Sequence, residues 1–353
     1  MRAVEIADDR RLVTVELPAP EPAAGQVLLD VACCGICGSD LHFRDVLELF
    51  PQGTIPGHEL SGRIAALGQG VEDWALGDRV AVLPFAQCGE CELCLAGEEQ
   101  VCPHAVPNGV GLGTGRPGAY AEQVVADARM LFALPDELDD RAAALTEPLA
   151  VAVRAVAVAA VRTDEPVLVL GAGTIGLLTA LVLRERGYSR SLLVSRNAAR
   201  AELARSLGLE VVSLEQVDGA LGEAPACVFE CAGTPAAARL ATELARPLGK
   251  VMLVGFSLVP LDLAAAPILL KELQIRGVLS YRRSEFADAI DLLAQGRIPA
   301  AALITAVAPI EDAEEMFQTL TSAGNTHLKV LLDPRGLAAG GAGRERGSEL
   351  IER

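Results

Sequence analysis

Residues 167–178 read "VLVLGAGTIGLL", and this stretch decides the fold. An apolar run at 167–170 reads as a buried strand. Three glycines follow as G-x-G-x-x-G, at Gly171, Gly173 and Gly176, and the residues after them open a helix. Strand, glycine turn and helix in that order are the setting in which this motif binds a dinucleotide. Gly171 allows the tight turn. Gly173 lets the backbone approach a pyrophosphate. Gly176 lets the helix pack closely on the strand, with its N-terminus toward the phosphates. Thr174 and Ile175 lie between the second and third glycines and belong to the same cofactor-binding turn. The plain alternative is a glycine-rich turn without a ligand.

Outward from the turn, "SLLVS", "ACVFECAG", "KVMLVGF" and "LQIRGVLS" read as strands separated by helical stretches. Alternating strands and helices predict a parallel, doubly wound sheet. The second strand of such a unit usually carries an acid about 20 residues after the glycines, bonded to the ribose 2′-hydroxyl. Here Ser195 stands at that place, Arg196 follows and Arg200 comes one helical turn later. A carboxylate repels a 2′-phosphate, whereas an arginine pairs with it. The reading favours NADP(H) over NAD(H), against the alternative that Arg196 is an ordinary solvated side chain.

Upstream the texture differs. "QVLLDVAC", "SGRIAAL", "DRVAVLP" and "AYAEQVVA" are short strand candidates joined by Gly- and Pro-containing turns, which predicts an antiparallel β region over residues 1–150. Downstream, "EFADAIDLLAQG" and "IEDAEEMFQTL" read as amphipathic helices and "HLKVLLD" as a last strand. The stretch 336–353 is small and polar and reads as a flexible tail.

Composition narrows the function classes. The chain has 353 residues, enough for roughly two domains, and 51% of them are hydrophobic, enough for cores that need no disulfides. The formal charge of −17 is the opposite of a nucleic-acid footprint. The N-terminus is charged from the start and shows no apolar leader. Arg154 interrupts the longest apolar run, "LAVAVRAVAVAAV", so no membrane span is expected and the reading is cytoplasmic. In such a setting nine cysteines with C-x-x-C spacing point to metal or redox chemistry, not to a disulfide framework.

Four of those cysteines, Cys88, Cys91, Cys94 and Cys102, fall within "CGECELCLAGEEQVC". Four thiolates close a tetrahedral zinc site, which makes it structural by type. A thiol redox pair is the alternative. A second set is open: Cys37, Ser39 and His42 in "GICGSDLH", His58 and Glu59 in "PGHELSG", and Glu147 in "TEPLA". Thiolate, imidazole and carboxylate suit zinc, and three ligands with a displaceable fourth leave room for a substrate.

In this order the motifs "GICGSDLH", "PGHELSG", "GDRVAV", the cysteine lobe, "GAYAEQVV", "EPLAVA", "GAGTIG" and "HLKVLLDP" resemble the zinc-dependent medium-chain alcohol/polyol dehydrogenases, over about residues 1–335. The resemblance implies a GroES-like catalytic domain (1–150), a Rossmann domain (151–284) and a return of residues 285–335 to the first domain. It implies one catalytic and one structural zinc per chain and a homodimer or homotetramer. Cys37 and His58 match the catalytic zinc ligands, and Glu59 matches the neighbouring acid that exchanges on and off the metal. Glu147, where other members have a second cysteine, resembles the sorbitol, butanediol and threonine dehydrogenase branch. Whether Glu59 or water completes the shell stays open. The implied reaction has zinc acting as a Lewis acid on the oxygen of a small-molecule alcohol or ketone, with hydride passing to or from the nicotinamide. Ser39 matches the relay hydroxyl. His42 either continues that relay to solvent or is structural. Phe43, Phe50, Phe85 and Leu112 are candidates for the pocket wall. A zinc-ribbon binding module and a zinc-free enone reductase of the same superfamily are the competing readings.

Overall fold

A computed structural model describes residues 1–113, 115–322 and 324–336. The tail expected over 336–353 therefore lies, from residue 337 onward, outside the described residues.

A hairpin of β1 (Arg2–Ile6) and β2 (Leu12–Glu16) leads into β3 (Gln26–Gly35). β3 shows no alternation of buried and exposed residues, the pattern of a strand covered on both faces. Next come a short helix α1 (Gly38–Phe43), β4 (Glu59–Leu67) and β5 (Arg79–Val82). The cysteine lobe holds α2 (Glu92–Leu95), and β6 (Gln123–Asp127) and β7 (Leu131–Ala133) complete this region. All these strands of the sheet pair antiparallel.

Two helices then change the architecture. α3 (Asp140–Ala143) starts on the side chain of Asp139, which accepts the N–H groups of Arg141 and Ala142. α4 (Thr146–Ala159) is buried almost all round, as a helix between two packed bodies should be. Even Arg154 is enclosed, and its guanidinium donates to Glu285 at 3.1 Å.

β8 (Val167–Leu170) runs through the glycine turn into α5 (Thr174–Glu185), followed by β9 (Ser191–Val194), α6 (Ala198–Ser206) and β10 (Val211–Val212). β11 (Cys227–Glu230), β12 (Lys250–Leu253) and β13 (Gln274–Gly277) extend the sheet on the other side of β8. Every pair is parallel, and the order is β10-β9-β8-β11-β12-β13. The order reverses between β8 and β11, the place where such sheets take a ligand at their carboxyl ends. The expected β half and doubly wound parallel sheet are both present.

The last strands, β14 (Ile304–Pro309) and β15 (Lys329–Asp333), join the first sheet, where β15 pairs with β3. β14 was not legible in the alanine-rich "LITAVAP". It holds its place by parallel pairing with β15, a contact no local pattern encodes.

Candidate functional site

Register brings the first metal set together. Gly35, at the end of β3, pairs with Glu59, at the start of β4. A Cβ at residue 35 would run into the Glu59 carboxylate, so glycine is needed there. Cys37 lies just beyond β3, at the N-terminus of α1, and His58 just before β4. The ligand atoms of Cys37, His58 and Glu59 all lie within 4.8 Å of one another. One thiolate, one imidazole and one carboxylate converging in this way fit a zinc ion.

Asp40 organises the set. It is buried on α1 and accepts hydrogen bonds at Oδ2 from the Cys37 N–H (3.1 Å) and the Tyr120 hydroxyl (2.7 Å). Its Oδ1 lies 3.4 Å from His58 Nδ1, so this nitrogen faces a carboxylate and Nε2 is left for an ion. Burial works against charge on the ring, but Asp40 and Cys37 together hold its pKa well above the usual histidine range. An ion bound by the same groups takes the place of that proton.

Two further partners were not anticipated. The Lys329 ammonium donates to both Glu59 oxygens (2.8 and 2.5 Å) and to the Ile36 carbonyl (2.9 Å). Both residues of this pair are buried. Burial opposes the charge on Lys329, but Glu59 and Cys37 outweigh it and raise the pKa. Glu59 thus faces a ligand cluster and an ammonium at once. Glu147, in the first turn of α4, lies outside the 4.8 Å group and accepts a hydrogen bond from the Tyr281 hydroxyl (2.9 Å). Burial pushes its pKa up to about 7, against the pull of His58 and with the repulsion of Glu59. The geometry places Glu59 closer to an ion than Glu147. The one signal for Lys329 in the sequence was a lone lysine in the apolar run "HLKVLL".

Ser39 and His42 share α1 with Asp40; Ser39 is half-buried and His42 exposed. Phe43 stacks on Phe50 at 5.8 Å and meets Phe256, which follows β12, edge-on at 4.9 Å. Phe85 meets the Tyr281 ring edge-on at 5.7 Å. Phe43 and Phe256, and Phe85 and Tyr281, thus meet across the two halves of the chain.

The second metal set is equally specific. Sulfur–sulfur distances are 3.7 Å (Cys88–Cys102), 3.8 Å (Cys91–Cys102) and 3.9 Å (Cys88–Cys94). A tetrahedron with zinc–sulfur bonds of about 2.3 Å has edges of about 3.8 Å. All nine cysteines are free, so no disulfide competes for these thiols. Backbone N–H groups of Glu90 and Cys91 lower the Cys88 thiol to about 6, whereas burial and the neighbouring thiols raise Cys94 to about 12.

The glycine turn has the shape the sequence asked for. Gly171 adopts φ +106°, and a Cβ on Gly176 would collide with the Gly171 carbonyl. A Cβ on Gly173 would meet nothing within 4 Å, so its backbone is open to a ligand. At the end of β9 the Ser195 hydroxyl donates to the Asn197 carbonyl (3.0 Å) and turns back on its own loop. Arg196 is exposed and has no polar partner among the described residues. Arg200 donates through Nη2 to the His327 carbonyl (2.9 Å), and its Nε is buried without a partner. The buried thiols Cys33, Cys34 and Cys227 belong to the packing, and Cys231 lies one residue beyond β11.

Residues 23–136 match the alcohol dehydrogenase GroES-like domain, and residues 174–295 match the zinc-binding dehydrogenase family. The chain is 33% identical over 335 residues to a 2-dehydro-3-deoxy-L-galactonate 5-dehydrogenase from Pseudoalteromonas atlantica, covering 91% of this chain and 95% of that protein. It is 32% identical over 330 residues to a sorbitol dehydrogenase from Halalkalibacterium halodurans, covering 90% and 94%. A zinc-binding dehydrogenase from Sinorhizobium meliloti 1021, crystallised with NADP, superposes with a TM-score of 0.86 at 28% identity, covering 94% and 99%. An alcohol dehydrogenase from Escherichia coli CFT073, complexed with NADH, superposes with a TM-score of 0.85 at 29% identity and the same coverage. Converging ligands, glycine turn, two matched family regions and full-length relatives lead to one conclusion: this chain belongs to the zinc-dependent medium-chain alcohol/polyol dehydrogenases, a family of oxidoreductases.

Proposed function

We propose that the chain interconverts a secondary alcohol or polyol and the matching ketone, with NADP(H) preferred over NAD(H). The observation that carries this reading is the convergence of Cys37, His58 and Glu59 at the β3–β4 register, in a chain that also holds an open glycine turn. Zinc in this set and a nicotinamide in the cleft supply the Lewis acid and the hydride carrier when bound. The chain's own residues do the rest. Asp40 sets its carboxylate opposite His58 Nδ1, and Lys329 holds the Glu59 carboxylate. Ser39 accepts the alcohol proton and His42, exposed on the same helix, passes it to solvent. Glu147, oriented by Tyr281, is a further carboxylate beside the reaction centre. Phe43, Phe50, Phe85 and Leu112 form an apolar wall that excludes water. Cys88, Cys91, Cys94 and Cys102 hold a second, structural zinc.

The preference for NADP(H) rests on Arg196, a free guanidinium beside a serine where an acid would repel a 2′-phosphate. A non-catalytic zinc module would leave both the glycine turn and the open ligand set without a purpose. We also assign residues 1–150 and 285–335 to the catalytic half and 151–284 to the cofactor half. β13 offers one unpaired edge, with Leu269, Leu270 and Leu279 exposed beside it, and a second copy pairing there makes a homodimer. The acidic surface and the absence of a spanning helix among the described residues suit a cytoplasmic enzyme. Secondary alcohols, polyols and sugar-derived alcohols, assayed with each cofactor, test the reading: NADP+-dependent oxidation of at least one is expected, and kcat/KM higher with NAD+ than with NADP+ would refute the cofactor assignment.

A further inference from the structure

The two arginines that the sequence placed together at the cofactor's adenosine end sit in different surroundings. Arg196 is free, whereas Arg200 is half-buried and spends a donor on the His327 carbonyl (2.9 Å). Two neighbours do the same. Asn197 donates through its side chain to the Asn325 carbonyl (3.1 Å), and the Thr174 hydroxyl donates to the Leu328 carbonyl (3.1 Å). Thr174 opens the helix of the glycine turn, and Asn197 caps α6. Three side chains of the cofactor half thus fasten three carbonyls of one short segment, 325–328. The next residue is Lys329, whose ammonium holds Glu59 and the Ile36 carbonyl in the metal set.

We propose that Arg200 is a positioning residue of this clasp and not a ligand of the 2′-phosphate, which leaves Arg196 alone to discriminate NADP(H) from NAD(H). The proposal rests on the dehydrogenase reading above. The acceptor of Arg200 is a backbone carbonyl on the segment that leads to the metal carboxylate, so its contribution does not depend on what the ribose carries. The clasp also joins the adenosine end of the cofactor site to the Glu59–Lys329 pair through consecutive residues. A loosened clasp therefore disturbs turnover as well as binding.

The test compares Arg200→Met, Arg200→Lys, Asn197→Ser and Arg196→Met in the full-length holoenzyme. Kd for NADPH and for NADH is read by nucleotide fluorescence, and kcat and KM by turnover with each cofactor. Asn197→Ser keeps a good N-cap while losing the reach to Asn325. Arg200→Met is expected to weaken both cofactors by the same factor, about tenfold, and to lower kcat with each, on the scale of one charged hydrogen bond. Asn197→Ser is expected to do the same to a smaller degree, and Arg200→Lys, which keeps a donor of similar length, to recover both. Arg196→Met is expected to weaken NADPH and leave NADH affinity as it was. Hydrogen exchange of the peptide over 325–333 is expected to slow on NADPH binding in the parent and not in Arg200→Met. Loss of NADPH affinity alone in Arg200→Met, or no change with either cofactor, would overturn the clasp. An unchanged NADPH affinity in Arg196→Met would instead refute the cofactor preference and leave the clasp standing.

Discussion

Lys329 bears on the metal site without being a candidate ligand, through Glu59. It is buried and its ammonium is matched to one buried carboxylate, Glu59. Removing one member of such a pair leaves an uncompensated charge, at a cost of about 3–5 kcal/mol. Lys329→Met is expected to lower stability by about that amount in urea titration and to loosen the hold on the catalytic zinc, while the Cys88 lobe keeps its own ion. A second residue-level prediction concerns Cys94. Serine there is expected to remove about one zinc per chain and to lower the melting temperature, because the lobe holds little apolar core of its own; unchanged zinc by metal analysis would count against a closed site. The cysteine spacing and the glycines were legible in the sequence, since each is a short-range constraint carried by a few neighbouring residues. Lys329–Glu59 and Tyr281–Glu147 were not, because they join residues 270 and 134 positions apart, brought together only by strand pairing and helix packing.

Among the elements, the β3–β4 pair and the β8–α5 turn carry the function. Cys37 and His58 become neighbours only because Gly35 and Glu59 are in register, so a slip of one residue would reverse the faces and scatter the ligands. The turn is under a similar steric constraint. Gly176→Ala is expected to force the helix away from the Gly171 carbonyl and weaken both NADPH and NADH binding by at least tenfold, whereas the neighbouring Gly173→Ala has open space on the protein side and acts only by obstructing the ligand. Equal tolerance of alanine for stability, with a cofactor penalty at both positions, would place the steric demand in the ligand instead of the strand. Strand candidates with β-branched runs were readable, and β14 was not. Its alanine-rich sequence has weak strand character, and its position is set by a parallel partner far along the chain.

For the whole molecule, two sheets meet around a helix, α4, that is buried on nearly every side and carries Glu147 in its first turn. The first sheet supplies Cys37, His58 and Glu59, the second supplies the glycine turn, and β15 and the segment before it connect them. That layout is why the fold class could be read from motif order while the clasp between the halves could not. The proposed pairing of two copies at the free edge of β13 carries a prediction at this scale: Ile275→Pro, which removes a strand N–H, is expected to lower the sedimentation coefficient, and an unchanged coefficient would count against that pairing. The central claim is that the chain holds a catalytic zinc through Cys37, His58 and Glu59, separate from a structural one. Zinc content of the parent and of His58→Ala, measured beside turnover, tests it most directly. The account predicts about two zinc ions per chain in the parent and about one in the variant, with NADPH binding retained and turnover abolished. A His58→Ala protein that keeps both ions, or that keeps near-normal turnover, would contradict it.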